Sequence, residues 1–173
     1  MECNRMLAQE LLSVPKLIID NDKIQESYFI KFGTGIIGIR LNMCSLDKKW
    51  KFLIDVNQNK MRATKINIHF QESCNYIQLY RIDYNAPNHT NPKVASKYVP
   101  EILVPYVGKT ISENHVHIFV QGEKTLVWAI PLSDYDFPVK TLSNMKDLRY
   151  ALTEFFCLIN LETVCEFEGR FIL

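Results

Sequence analysis

The chain carries four histidines, His69, His89, His115 and His117. The last two stand one residue apart in the run Asn114-His115-Val116-His117-Ile118-Phe119-Val120-Gln121-Gly122. The run alternates as a half-buried strand does, and side chains at i and i+2 of a strand share a face. Val116, Ile118 and Val120 are therefore expected to face a core, with His115 and His117 together on the polar side. Two imidazoles about 7 Å apart along one strand suit proton transfer at a shared substrate, or a metal. They also suit a wet strand face with no role at all.

A metal would need a third ligand, and His89, Asp83 or Glu123 is at hand. The common His-x-His metal spacings are not met. A cupin places glutamate where Gln121 and Gly122 stand, and a His-x-His-x-His triad would have histidine in place of Phe119. The expectation is therefore a site without metal or other cofactor. Metal-free cleavage of RNA needs a base for the 2′-hydroxyl proton, an acid for the leaving 5′-oxygen and a cation on the phosphorane. Histidine suits the first two because its ordinary pKa lies near neutrality, and arginine or lysine suits the third. His115, His117 and His89 can share the acid and base roles, with Arg81 or Lys93 as the cation. Asp83, two residues from Arg81 on the same strand face, can orient that arginine or hold a histidine in one tautomer. Tyr80, Tyr84 and Trp128 are candidates to stack on unpaired bases, each with core packing as its alternative.

These residues have to be positioned by the elements around them. Residues 2–13 have helical spacing and stop before Pro15. Tyr28–Phe32 and Ile36–Cys44 read as strands joined through Gly33-Thr34-Gly35, a hairpin turn. Trp50–Val56 and Lys65–Phe70 read as a second hairpin, with His69 on its polar side. Tyr76–Tyr84 is a further strand, and His115–Gln121 is expected to pair with Leu126–Ile130 across Gly122-Glu123-Lys124. A helix is expected from about Leu142 to Asn160, capped by Thr141 or Ser143, with Cys157 in its core face. Val164–Leu173 can add an edge strand. Between these, residues 85–114 hold four prolines, Pro87, Pro92, Pro100 and Pro105, and little periodicity. Structureless loops of that length are uncommon in compact domains and often functional. This one carries His89 and Asn91 and leads directly into His115.

With 173 residues and 47% hydrophobic composition, the chain is expected to form one domain, residues 1–173, with a real core. A net charge of +1 gives no global nucleic-acid footprint. Locally, Lys48, Lys49, Lys51, Lys60, Arg62 and Lys65 face Asp55 alone, whereas the stretch from Ser133 onward leans acidic. Five widely spaced cysteines without a Cys-x-x-Cys pair argue against a disulfide framework or a cysteine zinc site. No apolar run has the length of a membrane span or marks a signal peptide, so a reduced, cytoplasmic setting is expected.

Three blocks carry a resemblance: Tyr80-Arg81-Ile82-Asp83-Tyr84-Asn85-Ala86-Pro87-Asn88-His89-Thr90-Asn91-Pro92, then His115-Val116-His117-Ile118-Phe119, then Trp128-Ala129-Ile130-Pro131-Leu132. In this order they resemble a poorly characterised family of small proteins from low-GC Gram-positive bacteria and their phages, over roughly residues 50–160. The layout is also similar to toxin-type ribonucleases of toxin–antitoxin modules. The resemblance implies RNA as the target. A phage-encoded member would damage tRNA or interfere with host defence, including as an anti-CRISPR protein.

The expected protein is thus α+β, with a mostly antiparallel sheet of about six to seven strands and terminal helices packed on it. Its polar face, roofed by residues 85–114, would bind and cleave structured RNA such as tRNA. The catalytic set would be His89, His115, His117 and Arg81. Tyr80, Tyr84, Asn91, Lys93, Lys49, Lys51, Arg62 and Trp128 would hold the RNA. The alternative is a non-catalytic inhibitor that docks on a host defence (CRISPR) complex through its acidic helix face or long loop.

Overall fold

The computed structural model describes residues 3–32, 38–58 and 65–167. Helix α1 (Arg5–Ser13) is capped by Asn4, whose side chain accepts from the Leu7 amide at 2.8 Å. Strands β1 (Lys16–Asp20), β2 (Lys23–Gln25), β3 (Ser27–Ile30), β4 (Gly38–Ser45), β5 (Lys51–Gln58), β6 (Ile66–Glu72) and β7 (Ile77–Tyr84) follow. Next come β8 (His89–Thr90), a 3-10 turn at Glu101–Tyr106, β9 (Thr110–Ile111), β10 (His115–Ile118) and β11 (Ala129–Pro131). A second 3-10 turn (Leu132–Asp134), helix α2 (Met145–Leu158) and β12 (Val164–Phe167) complete the described elements. The fold is α+β, and no helix among the described residues is long and apolar enough to cross a membrane.

The main sheet has eight strands in the order β11-β10-β7-β6-β5-β4-β1-β2, every neighbouring pair antiparallel. That is larger than six to seven strands, because the short strands β1 and β2, not expected from the sequence, extend one edge. Period-two alternation divides its faces. Ile39, Leu41 and Met43 of β4, Ile54 and Val56 of β5, Ile66 and Ile68 of β6, Ile82 of β7 and Val116 of β10 share one core with Leu11 of α1 and Phe155 of α2. The residues between them form the opposite, polar face.

Three local expectations need correction. β3 and β4 do not form a hairpin ladder: β4 pairs with β1 and β5, while β3 pairs in parallel with β12 in a separate two-stranded sheet. The Gly33-Thr34-Gly35 turn lies outside the described residues. Helix α2 starts at a capping box built by Asn144 and Asp147, not at Thr141 or Ser143. The Asn144 side chain accepts from the amides of Lys146 and Asp147, and Asp147 accepts from the Asn144 amide. Cys157 is exposed, because two steps of about 100° from Phe155 turn it to the far side of the helix.

The stretch from 85 to 114 is ordered as a roof. β8 and β9 pair, His89 opposite Ile111 and Thr90 opposite Thr110. Asn91 fastens it to the sheet edge: its side chain accepts from the Ala129 amide and donates to the Ala129 carbonyl, both at 2.8 Å, and also donates to the Tyr106 carbonyl at 3.1 Å. A side-chain amide thereby does for β11 what a further strand would do.

Candidate functional site

Antiparallel register sets the polar face in two rows. In one, Asp55 of β5 lies opposite His69 of β6, His69 opposite Arg81 of β7, and Arg81 opposite His117 of β10. In the next, Asn57, Asn67, Asp83 and His115 follow the same order. Directly opposed residues hold their Cβ atoms about 5 Å apart, so each row is a continuous line of polar groups. A bulge at Phe70/Gln71 shifts the β6–β7 register, which lets Gln78 share the site face with Arg81 although the two are an odd number apart. Above the rows, the roof brings in Ala86, Pro87, Asn88 and His89. Together they enclose a cleft of about 490 Å³ whose wall also includes Lys65.

All four histidines gather here. His69, His89 and His115 line the cleft. The His89 ring lies 4.5 Å from His117 and 5.8 Å from His115, and those two are 4.9 Å apart, centroid to centroid. Arg81 and Asp83 sit at their centre. The Arg81 guanidinium donates to Asp83 Oδ2 through Nε at 3.0 Å, and its Nη2 lies 2.9 Å from the same oxygen. Nη2 also lies 2.7 Å from His117 Nε2, so that nitrogen accepts and the His117 proton is on Nδ1. His117 Nδ1 is buried with no protein partner. The His115 Nδ1–H donates to the Glu113 carbonyl at 2.7 Å, leaving Nε2 facing Asp83 Oδ2 at 3.5 Å. His89 Nε2–H donates to the Val127 carbonyl at 2.9 Å.

Burial sets the protonation states. It pushes the His117 pKa down to about 4, helped by the Arg81 charge and opposed by Asp83. It lowers His69 too, with Arg81 adding to the effect, and it lowers His89, where the Val127 carbonyl opposes it. These three imidazoles are neutral at neutral pH. Burial would raise the Asp83 carboxyl, but its close contacts with the His115 and His117 rings and the Arg81 charge outweigh it and hold the acid below the usual carboxylate range. Asp83 thus orients Arg81 and lies close to the histidines, while the His115 tautomer is set by the Glu113 carbonyl and that of His117 by Arg81.

Several expected site residues are placed differently. His115 and His117 are 1% and 0% exposed, not on a wet face, because the roof closes over β10. His115 still reaches the cleft wall, whereas His117 lies behind Arg81 and does not line the cleft. Tyr80, Tyr84 and Trp128 are core residues and offer no ring to a base. The Tyr84 hydroxyl donates to the Val139 carbonyl, and Trp128 Nε1 donates to Glu123. Asn91 is buried as the strap described above. Lys93 is exposed but outside the cleft wall. Lys49 leans on Trp50 and pairs with Glu10, away from the cleft. Lys51 is exposed on the same strand as Asp55, four residues away. Arg62 lies outside the described residues. The sequence reasoning missed His69, Asp55 and Gln78 as site residues and had Lys65 only as the end of a basic hairpin expected to hold the RNA backbone. The available signal was His69 on the polar side of its strand, directly opposite Arg81 once the strands are paired.

Residues 4–161 match a family model described as a family of unknown function, DUF6978. No curated protein and no solved structure matches the chain. Since the match includes all of the cleft-forming strands and the roof, the chain belongs to the DUF6978 family.

Proposed function

We propose that the cleft binds RNA and that the protein is a metal-independent endoribonuclease leaving a 2′,3′-cyclic phosphate, with structured RNA such as tRNA as substrate. One observation carries the reading: four histidines from separate parts of the chain converge on a single arginine–aspartate pair at the floor of an open polar cleft. Arg81, whose side chain is 34% exposed, is the cation for the phosphate. Neutral His69 or His89, both on the cleft wall, accepts the 2′-hydroxyl proton. His115, whose ring reaches the cleft wall, is the candidate acid for the departing 5′-oxygen. His117 acts as a positioning residue, fixing Arg81 from behind. Lys65 and the amides of Asn57, Asn67, Gln78 and Asn88 offer contacts to backbone and bases.

The test is incubation of the purified protein with bulk tRNA in EDTA. Cleavage is expected from wild type, with losses of about 10²–10⁴-fold in His89→Ala and Arg81→Ala. Intact tRNA with wild type, or full activity in both variants, refutes the reading. A second reading, a non-catalytic inhibitor docking on a host defence complex such as a CRISPR effector, draws support from the burial of the three aromatics that were to stack on bases. It predicts intact tRNA and a protein-like 260/280 absorbance ratio.

A further inference from the structure

The geometry points to a second cation for the same cluster: Asp83, His115 and His117 form a binding site for a late first-row metal dication of the zinc type, which competes with the Arg81 guanidinium. Zinc–nitrogen and zinc–oxygen bonds near 2.0–2.1 Å at tetrahedral angles place ligand atoms about 3.3 Å apart. His117 Nε2 stands 3.2 Å and His115 Nε2 3.5 Å from Asp83 Oδ2, and the three residues' ligating atoms all lie within 4.8 Å of one another. Two edges of a coordination tetrahedron are therefore already present. The hydrogen-bonding shell agrees. The Nδ1–H of His115 is committed to the Glu113 carbonyl at 2.7 Å, which leaves Nε2 as a lone pair and fixes the ring, the usual outer arrangement of a metal-bound histidine. Without a cation, the lone pairs of His115 Nε2, His117 Nε2 and Asp83 Oδ2 would face one another at close range.

The cation now among them is Arg81, with Nη2 at 2.7 Å from His117 Nε2 and 2.9 Å from Asp83 Oδ2. Its side chain is one-third exposed and can turn outward into the cleft, whereas the three ligands are fixed by burial. Three protein ligands beside a cleft leave a fourth position for water or an anion, and two imidazoles with one carboxylate suit zinc. The His-x-His spacing failed every single-strand metal pattern because the third ligand comes from the neighbouring strand, at the residue directly opposite His115. Metal binding draws Arg81 off the phosphate position, so zinc would switch off the cleavage proposed above.

Zinc binding itself does not rest on cleavage, and its test contains no RNA. Apo protein is titrated with Zn²⁺ against a chromophoric chelator, with folding of each variant checked by circular dichroism. One ion per wild-type chain is expected. Asp83→Asn and His115→Gln should each weaken binding by about tenfold or more. Arg81→Ala should tighten it by about tenfold if the arginine-out state is about a tenth populated in wild type. Unfolding would free cysteines and histidines that also capture zinc, so the Arg81→Ala gain is scored on protein whose circular dichroism matches wild type, and that variant decides the matter if the others are unfolded. Absence of saturable binding in wild type and Arg81→Ala, binding unchanged by both ligand substitutions, or an Arg81→Ala affinity no tighter than wild type overturns the proposal. Zinc binding without tRNA cleavage would sink only the ribonuclease reading, and the reverse result only the metal site.

Discussion

Asp83→Asn is the sharpest perturbation of this site, since it keeps the shape of the side chain and removes only its charge. Asp83 is 10% exposed and meets Arg81 at 2.9 Å, His117 at 3.2 Å and His115 at 3.5 Å. Removing one partner of a buried charge pair costs about 3–5 kcal/mol, because the other charge is left uncompensated. Arg81 is one-third exposed and can recover water, so the lower end, about 3 kcal/mol, is expected. The pH dependence follows from the depressed carboxyl. Its stabilising contribution is full above the unfolded-state pKa near 3.8 and is lost as pH falls through the lower folded-state value. Between pH 7 and pH 3 the unfolded chain takes up the proton and the folded one does not, so the gap between wild type and variant narrows by about 1 kcal/mol. Urea unfolding of both proteins at the two pH values, in EDTA and with equal m-values, measures it. A gap under about 0.5 kcal/mol at pH 7, or one as wide at pH 3 as at pH 7, refutes the placement of Asp83 as the ionised hub.

Other consequences can be checked directly. His117 stays neutral in the folded protein down to about pH 4, while the unfolded chain protonates near 6.5. Stability should therefore fall across that window by about 3 kcal/mol from this residue, and His117→Leu should flatten the dependence of Tm on pH. Lys16 is fully buried, its ammonium donating to the carbonyls of Leu12, Val14 and Ile159 at 3.0, 2.8 and 2.6 Å and lying over Phe52 and Phe70. Lys16→Met leaves those carbonyls at the ends of both helices unpaired, for a loss of about 2–4 kcal/mol in denaturant unfolding. Asn91→Ala removes the strap on β11, and hydrogen exchange at the Ala129 amide should quicken by at least about tenfold while the amides of β5 and β6 hold.

Much of the secondary structure was legible because it depends on local pattern. The alternation of Ile66, Ile68 and Phe70 with Asn67 and His69 announced a two-faced strand, and β6 is one. The stripe of Leu148, Leu152, Phe155 and Phe156 announced α2. What failed was long-range. Nothing near Tyr28 says that β3 pairs with β12, more than a hundred residues later. Nothing near Tyr84 or Trp128 says that both faces of their strands are covered, since aromatic residues suit a core and a stacking platform equally well. His115 and His117 alternated correctly with Val116, yet their face is dry because residues 85–114, which have no periodicity of their own, fold back over it.

The sequence by itself determined which side chains share a strand face, because that follows from the pleat of a single strand. It therefore paired His115 with His117 and Arg81 with Asp83. Only the tertiary structure decided that the two pairs are opposite each other, that His69 joins the row and that His89 descends from the roof, because register, strand order and loop path are set by packing between distant segments. Burial, which neutralises His117 and makes Asp83 the hub, belongs to that second class as well: the free energy of a charge depends on what covers it.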